Sequence, residues 1–475
     1  MMILSWIYLM PLGLRDYISL FKSVCDQNGD VNLDCPVAAN YNRRSRSGGC
    51  VTRLSRATSE VRENMPFQAP ADGVLLPPYR VLDLTSPEGV FCGKLLADYG
   101  ADVIKVEPPS GDPTRQKPPF IGDQPGPERS VDFLYYNTNK KSVTLDLENP
   151  RGRELFMKLV ASADVLVESF PVGYMKSLGL DFDSLKPGNP GLVMASITPF
   201  GQTGPWKDFQ SSDLISLAAS GFMQITGEPD GPPMRQGNEQ SHFPGAQHAA
   251  SAIMAALFYR DIQDGTGQHI DVSMQEAMIT FYTDAHPTLA WMQRGENVTR
   301  VGATSTLVIP LGVYPSSDGW ISAGIITPRE WEGLSQWMYE VTGNEEILND
   351  NYKGGNQDRA PYNDLITAMV IDFTTRFTSE ELFHQGQERN LVIIPVNSVS
   401  DLLSDPQLEA SNFWFDLDHA EAGTLKYPLG VFDSEDVSPI TNPAPHLGQD
   451  NEAIFGGELG LSDSELVALR AQGAI

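Results

Sequence analysis

The chain has 475 residues, a formal net charge of −28 at pH 7 and 41% hydrophobic residues. Its length can bury a sizeable core and favours two or more domains, and its composition is ordinary for a globular protein. The negative charge argues against nucleic acid or an anionic membrane surface as a partner, because both would be repelled. An anionic ligand would need a local pocket lined by basic side chains or backbone amides.

The first 75 residues differ in composition from the rest. They open with an apolar run that is too short to span a membrane and lacks the basic start and cleavage site of a secretory signal. We expect residues 1–75 to be a poorly ordered extension. Cys25, Cys35 and Cys50 lie there, and their spacing predicts neither a disulfide framework nor a metal site. The fourth cysteine, Cys92, is expected to be a small buried side chain, and a cytoplasmic location fits best.

The stretch 81–107, VLDLTSPEGVFCGKLLADYGADVIKVE, predicts a strand, a turn at 85–89, a helix and a second strand. In an open α/β sheet, ligands lie outside the carboxyl ends of strands and at the N-termini of helices. The turn therefore has the position of a ligand site, although a tight turn without a ligand has the same pattern. It is not G-x-G-x-x-G, which makes a dinucleotide less expected.

Strand and helix patterns continue to alternate after this unit. Asn149 before Pro150 is a typical helix start, and the alternation predicts a parallel sheet with helices on both faces. The predicted strands are 142–147, 164–169, 192–197 and 269–273, and the predicted helices are 150–160 and 246–261.

The sequence pattern changes after about residue 291, where short strands, helices and turns are mixed and predict a smaller α+β domain. Ser462 and Glu465 have the spacing of a capping box before a last helix. The predicted elements are strands 307–313 and 320–326 and helices 328–341, 361–377 and 462–472. The expected organisation is an extension at 1–75, a large Rossmann-like domain at 76–295, a small domain at 296–425 and a C-terminal return to the large domain at 426–475.

Several loops carry residues that are able to do chemistry. The loop 200–206 has two glycines after an apolar strand, and it is either a substrate loop or a plain crossover. Asp213 is predicted to cap the following helix, with a charge in a pocket as the alternative. Glu239 and His242, at the entrance to a small-residue helix, could serve acid–base or nucleophilic chemistry, but ordinary loop polarity is the favoured explanation from these residues alone.

Many ordered segments of the chain resemble the class III CoA-transferases, the CaiB/BaiF-like family that includes formyl-CoA and carnitine CoA-transferases. The resemblance runs from about Tyr79 to the C-terminus. It rests on VLDL at 81–84, LADYGADVIKVE at 96–107, GDPTR at 111–115, NKKS at 139–142, ADVLVESF at 163–170, FGQTGP at 200–205, GTGQ at 265–268, DPQL at 405–408 and LGQ at 447–449.

The resemblance implies an α/β fold with a Rossmann-like large domain, a smaller α+β domain and an interlocked dimer. It implies transfer of CoA between an acyl-CoA and a carboxylic acid, with CoA a substrate rather than a permanently bound cofactor. No nucleic acid, membrane or metal is expected. By position, the CoA site falls at Glu88, Gly89, Leu145, Ser169, Phe170, Lys176, Gln210 and Asp213, with Lys176 close to the place of a phosphate-contacting arginine.

One position departs from the family. Its transferases use an aspartate at the entrance to the buried helix to attack the thioester, and counting back without gaps from 265–268 puts that position at Phe243, which cannot do so. Glu239 is the nearest carboxylate and becomes the catalytic candidate. The histidine that the related racemases place before Asp213 is Ser212. Phe243, Trp206 and Met223 suggest an apolar acyl pocket.

The missing aspartate leaves two functions open. The first is an active CoA-transferase. The second is a catalytically silent, CoA-binding subunit that pairs with an aspartate-bearing paralogue, so a homodimer and a heteromer are both open.

Overall fold

A computed structural model describes residues 75–283, 286–428 and 442–475 of the chain. They belong to one compact unit that spans Pro66–Ile475. Of the expected extension at 1–75, only Leu75 is among the described residues, so that prediction lies outside them.

The strands, in chain order, are β1 Arg80–Leu84, β2 Asp102–Glu107, β3 Lys141–Thr144, β4 Val165–Glu168, β5 Val193–Thr198, β6 His269–Ser273, β7 Leu311–Pro315, β8 Trp320–Gly324, β9 Ile393–Pro395, β10 Trp414–His419 and β11 Gly423–Pro428.

The helices are α1 Val90–Asp98, α2 Val131–Tyr136, α3 Pro150–Val160, α4 Tyr174–Ser177, α5 Phe182–Leu185, α6 Asp213–Ala219, α7 His242–Ile262, α8 Met274–Met278, α9 His286–Arg294, α10 Pro328–Thr342, α11 Asn356–Arg359, α12 Asn363–Thr374, α13 Ser379–Glu388, α14 Val399–Leu402, α15 Pro406–Ala410 and α16 Asp463–Ala471. Shorter 3₁₀ turns include Pro113–Gln116, and Glu452–Glu458 is π-helical.

The first six strands form one parallel sheet in the order β3-β2-β1-β4-β5-β6. This is the doubly wound arrangement. The strands are added outward from β1 on one side and outward from β4 on the other, so the strand order reverses between β1 and β4. Leu84 pairs with Glu168 at the carboxyl ends of these two strands. The turn after β1 and the loop after β4 are therefore neighbours, at the place where such folds bind ligands.

The two faces of the sheet are buried by different helices. Small residues of α7, such as Ala246 and Ala249, pack with Cys92 of α1 against Val81 and its neighbours. The apolar sides of α3 and α16 cover the other face. The predicted α/β class, with a parallel sheet covered on both faces, is confirmed, and Cys92 is fully buried.

Residues after 300 contain a separate antiparallel sheet, β7-β8-β9, with its own apolar core around Trp331 and Trp337. The β10–β11 hairpin packs against α2. The ring of Tyr427 in β11 stacks on that of Tyr135 in α2 with 6.3 Å between the ring centroids. At the C-terminus, α16 belongs to the core of the large sheet. The proposed domain boundaries stay a prediction.

Local signals predicted the starts of several helices. Asn149 accepts a hydrogen bond from the Arg151 amide at the start of α3, and Ser462 and Glu465 form the capping box of α16. One boundary matters for the site: α7 begins at His242, four residues before the predicted start at 246. His242 and Phe243 are therefore in the first turn of the buried helix rather than in the preceding loop.

Candidate active site

The turn after β1 and the loop after β4 are joined directly. The Ser86 amide donates to Ser169 Oγ at 3.0 Å, and that hydroxyl lies 3.3 Å from the Ser86 carbonyl oxygen. At Gly89 a Cβ atom would lie 2.7 Å from Thr85 Cγ2, so the start of α1 packs too closely for a side chain there. Four predicted CoA-site residues, Glu88, Gly89, Ser169 and Phe170, thus lie on two adjacent segments.

A buried network of charges lies beneath this turn. Asp83 pairs with Lys140 at 2.8 Å, and Lys105 pairs with Asp112 at 2.9 Å. Lys105 Nζ also donates to the Thr85 carbonyl. Burial by itself would raise the pKa of Asp112, but the Lys105 ammonium and the hydrogen bonds from Thr114 together outweigh it and lower that pKa to about 2. Since each buried charge has a partner, the turn is held in one geometry.

Ser86 connects the turn to this network, because its hydroxyl donates to Asp112 Oδ1 at 2.8 Å. Glu88, two residues further on, is affected by charges on both sides of the crevice. Burial raises the pKa of Glu88, the negative charges of Glu239 and Asp112 raise it further, and the Lys117 ammonium opposes them. Glu88 therefore shares an electrostatic environment with the Glu239 loop, which we define as residues 237–241.

Glu239 is held by a cation from a distant part of the chain. Its Oε2 lies 2.7 Å from Lys117 Nζ, which also contacts Asp132 at 2.9 Å. The Glu239 side chain remains 42% exposed. Sequence reasoning missed Lys117, since nothing in its neighbourhood singles it out and its partner is 122 residues away.

His242 opens α7 beside Glu239. Its side chain is 12% exposed, and Nδ1 lies 3.6 Å from Glu239 Oε2. Burial lowers the pKa of His242, the carboxylates of Glu239 and Asp213 work against that shift, and Lys117 adds to it. The imidazole is therefore neutral at neutral pH. A neutral ring beside a carboxylate can accept a proton or attack an electrophile.

The prediction that Asp213 caps its own helix is wrong. Ser212 occupies the cap position of α6, and Asp213 is the first helical residue. Its Oδ1 accepts a hydrogen bond from the Ser241 amide at 2.8 Å. This hydrogen bond connects the start of α6 to the start of α7.

Phe243 lies in an aromatic cluster. Its ring contacts Phe91 edge to face at 5.3 Å and Tyr136 at 6.5 Å. Trp206 instead packs between Phe200 and Phe209. Met223 belongs to a cluster around Leu217, Phe222 and Met278. The three residues expected to form one acyl pocket therefore lie in separate clusters.

Lys176 lines a cavity of about 410 Å³ next to the Ser169–Phe170 loop, together with Lys207, Gln202 and Glu168. Asp181 and Asp183 line it as well, so this cavity has charged side chains of both signs. Glu168 is 3% exposed, and burial raises its pKa to about 7, against the hydrogen bonds from Ser196 and the Phe170 amide.

The other predicted residues lie apart from this group. Leu145 follows the edge strand β3, and its side chain is buried in the core. Only its backbone could meet a ligand. Gln210 is exposed in the loop before α6.

In the described parts of the chain, no cluster of His, Cys, Asp and Glu side chains has the arrangement of a metal site. A search of the same residues found no helix with the length and hydrophobicity of a membrane span.

The protein is thus of the doubly wound α/β class, and its polar residues lie at the switch point of the sheet, where proteins of this class bind ligands. Comparison with known proteins identifies its family. The profile of CoA-transferase family III matches residues 76–451. The chain belongs to this family, and it is an enzyme that moves CoA between an acyl-CoA and a carboxylic acid.

Two curated relatives and one solved structure illustrate the similarity. The succinyl-CoA:(R)-benzylsuccinate CoA-transferase subunit BbsE of Thauera aromatica is 34% identical, with coverage of 84% of this chain and 97% of the relative. The succinate–glutarate CoA-transferase of Agrobacterium fabrum is 33% identical over 79% of this chain and 94% of its own. A CaiB/BaiF family protein from Brucella suis has a TM-score of 0.72 at 29% identity, with coverage of 82% of this chain and 100% of the neighbour.

Proposed function

We propose that the chain transfers CoA from succinyl-CoA to a second carboxylic acid, with the thioester placed between the turn 85–89 and the Glu239 loop. The observation that carries this proposal is the Glu239–Lys117 pair, which shares its electrostatic environment with Glu88 of the turn. The succinyl donor is supported by the names of the two curated relatives, which act on succinyl-CoA or succinate.

The nucleotide end of CoA would extend toward the loop after β4. Lys176 and Lys207 line the cavity there and would pair with phosphates, next to Asp181 and Asp183 on the same lining. Ser169, Phe170, Glu88 and Gly89 would border the pantetheine arm. Asp213 would lie at the acyl end, because it contacts the start of α7.

Glu239 is the proposed nucleophile. Its carboxylate oxygen attacks the thioester carbon, the C–S bond breaks, and CoA leaves as the thiolate, so that an acyl-Glu239 anhydride forms. The thiolate then attacks the Glu239 carbonyl, releases the first acid and leaves a Glu239–CoA thioester. The second acid takes over this CoA by the reverse steps.

Lys117 suits a donor that carries a second carboxylate. Acylation removes the charge of Glu239, and the Lys117 ammonium then loses one of its two carboxylate partners. The free carboxylate of a succinyl group can replace it. An ammonium that exchanges one carboxylate for another keeps its charge compensated throughout.

Trapping tests the nucleophile. The protein is incubated with succinyl-CoA and then with borohydride or hydroxylamine, and the modified residue is found by peptide mass spectrometry. We expect modification at Glu239, and we expect Glu239→Gln to abolish CoA exchange with glutarate. Glu228→Gln, an exposed carboxylate before the same loop, serves as the matched control. Full exchange by the Glu239 variant would remove this residue from the mechanism.

A second candidate function is a CoA-binding subunit of a heteromeric transferase. The favouring observation is the aromatic cluster at Phe243, the residue on which the family's aspartate position falls when it is counted from 265–268, and the curated relative BbsE is itself named a subunit. In that case the purified chain exchanges CoA only when mixed with an aspartate-bearing homologue. Light scattering of the two preparations separates a homodimer from a heteromer. A cytoplasmic location stays a prediction.

A further inference from the structure

Two buried polar atoms where the start of α6 meets the start of α7 have no hydrogen-bond partner among the described residues. They are Ser241 Oγ and Asp213 Oδ2, and Thr198 Oγ1 is the other such side-chain atom in those parts of the chain. Ser241 is completely buried, and its amide donates to the other oxygen of Asp213 at 2.8 Å. The two unpartnered atoms therefore belong to side chains whose residues are joined by one hydrogen bond. A buried polar group without a partner costs about 1–3 kcal/mol, so a small polar partner beside these atoms is favourable.

The chemistry of the pair limits what the ligand is. An anion is disfavoured, because the Asp213 and Glu239 carboxylates are both close. A secondary amide has its N–H and C=O on opposite sides, so one amide cannot serve two neighbouring atoms. A water molecule can donate to Asp213 Oδ2 and accept from Ser241 Oγ, and buried waters usually have two to four such partners.

The adjacent imidazole supplies a further partner for such a water. Within the described residues His242 makes no hydrogen bond, and its closest charged contact is Nδ1 to Glu239 Oε2 at 3.6 Å. A neutral imidazole can accept a proton from a bound water. The same 3.6 Å contact places the ring beside the atom that carries the acyl group in the proposed anhydride.

We propose that His242 is the general base of a hydrolytic activity, in which water bound by Asp213, Ser241 and His242 cleaves the acyl-Glu239 anhydride when no acceptor acid is bound. This inference rests on the proposed function, since it needs an acyl group on Glu239. The water oxygen bonds to the acyl carbon, and His242 takes the proton. The bond from that carbon to the Glu239 oxygen breaks, Glu239 leaves as the carboxylate, and the acid is released.

Charge compensation supports this route. Proton transfer makes His242 an imidazolium, and the same step restores the negative charge of Glu239 beside it. Asp213 provides a second carboxylate near the ring, while Lys117 works against the imidazolium. CoA itself departs earlier, as the thiolate of the first step, and takes up a proton in solution. The overall reaction converts an acyl-CoA and water to an acid and CoA.

The test compares hydrolysis with exchange in the same preparations. Succinyl-CoA alone is assayed for thiol release, and succinyl-CoA with glutarate is assayed for glutaryl-CoA. In His242→Gln we expect hydrolysis to fall at least about 100-fold, the usual contribution of a general base, and the ratio of hydrolysis to exchange to fall with it. Ser241→Ala, a smaller change that removes one water partner, should lower the same ratio about tenfold.

His248 on the same helix is the matched control. Its Nδ1 lies 2.9 Å from the Pro244 carbonyl oxygen, and His248→Gln should leave both activities in place. Wild-type hydrolysis by both the His242 and Ser241 variants would overturn the inference, as would a wild-type chain that exchanges CoA without releasing any. Failure of the proposed function gives a different result. In that case the Glu239→Gln variant would retain both CoA exchange and hydrolysis.

Discussion

The turn 85–89 and the Glu239 loop, on the two sides of the crevice, differ in whether their charged groups are buried and paired. Beneath the turn 85–89, Asp83, Lys140, Lys105 and Asp112 are buried and paired. In the Glu239 loop, the Lys117–Glu239 pair is partly exposed, and Ser241 Oγ has no partner in the part of the chain that the structure describes. Compensated charges fix the geometry of the first side during folding. The second side keeps charged and polar groups available for a substrate.

The difference predicts that stability and activity separate between the two sides. Breaking a buried pair leaves an isolated charge in an apolar surrounding, which is costly. Breaking a partly exposed pair costs little, because water replaces the lost partner. Variants of the turn's network should therefore unfold the protein, and variants of the Glu239 loop should mainly change its chemistry.

Lys140→Met gives the largest expected effect. It leaves the fully buried Asp83 without its 2.8 Å partner, so the free energy of unfolding should fall by about 3–5 kcal/mol. Urea denaturation measures this. The double variant with Asp83→Asn should recover most of the loss, because no isolated charge remains. A loss below about 1 kcal/mol would show that the pair is not what holds the turn.

Glu168 tests the rule that buried charges here are compensated, because within the described ranges no ion pair joins this buried carboxyl to a cation. Its folded pKa of about 7 lies above the ordinary 4.5, so the folded state binds the proton more tightly than the unfolded state does. The stabilisation is present below pH 4.5 and is lost as the pH rises through 7. Wild type should lose about 3 kcal/mol more than Glu168→Gln between pH 4.5 and 8.

Denaturation curves at several pH values measure that difference. The amide in Glu168→Gln can still accept the hydrogen bond from the Phe170 amide, which is 2.8 Å long in the wild type. Glu154→Gln is the matched control, because it makes the same substitution at an exposed position. Parallel pH profiles of wild type and Glu168→Gln would contradict a raised pKa.

Lys117→Met should have the smallest effect on stability. Its ion pairs are about one-third exposed, so the free energy of unfolding should fall by at most about 1 kcal/mol. Exchange should fall about tenfold or more, because a charge-assisted hydrogen bond to Glu239 and to the donor is lost. Lys117→Arg should restore part of it. A stability loss as large as that of Lys140→Met would remove the contrast between the two sides.

Some features of the site were within reach of the sequence. Its motifs placed the turn 85–89 and the loop at Ser169 and Phe170 at strand ends, and the structure brings them together at the switch point. Contacts between distant segments were not within reach. Glu239 and Lys117 meet across 122 residues, and Asp213 serves the amide of Ser241 rather than its own helix.

By itself the sequence determined the alternation of strands and helices, the caps of α3 and α16 and the family. These depend on residues close in the chain, on hydrophobic period and on ordered motifs. Only the tertiary structure decided that Phe243 packs on Phe91, that His242 lies beside Glu239, and which polar atoms stay unpaired. Those outcomes depend on strand order and on the start of α7, because a shift of one residue turns a helical side chain to another face.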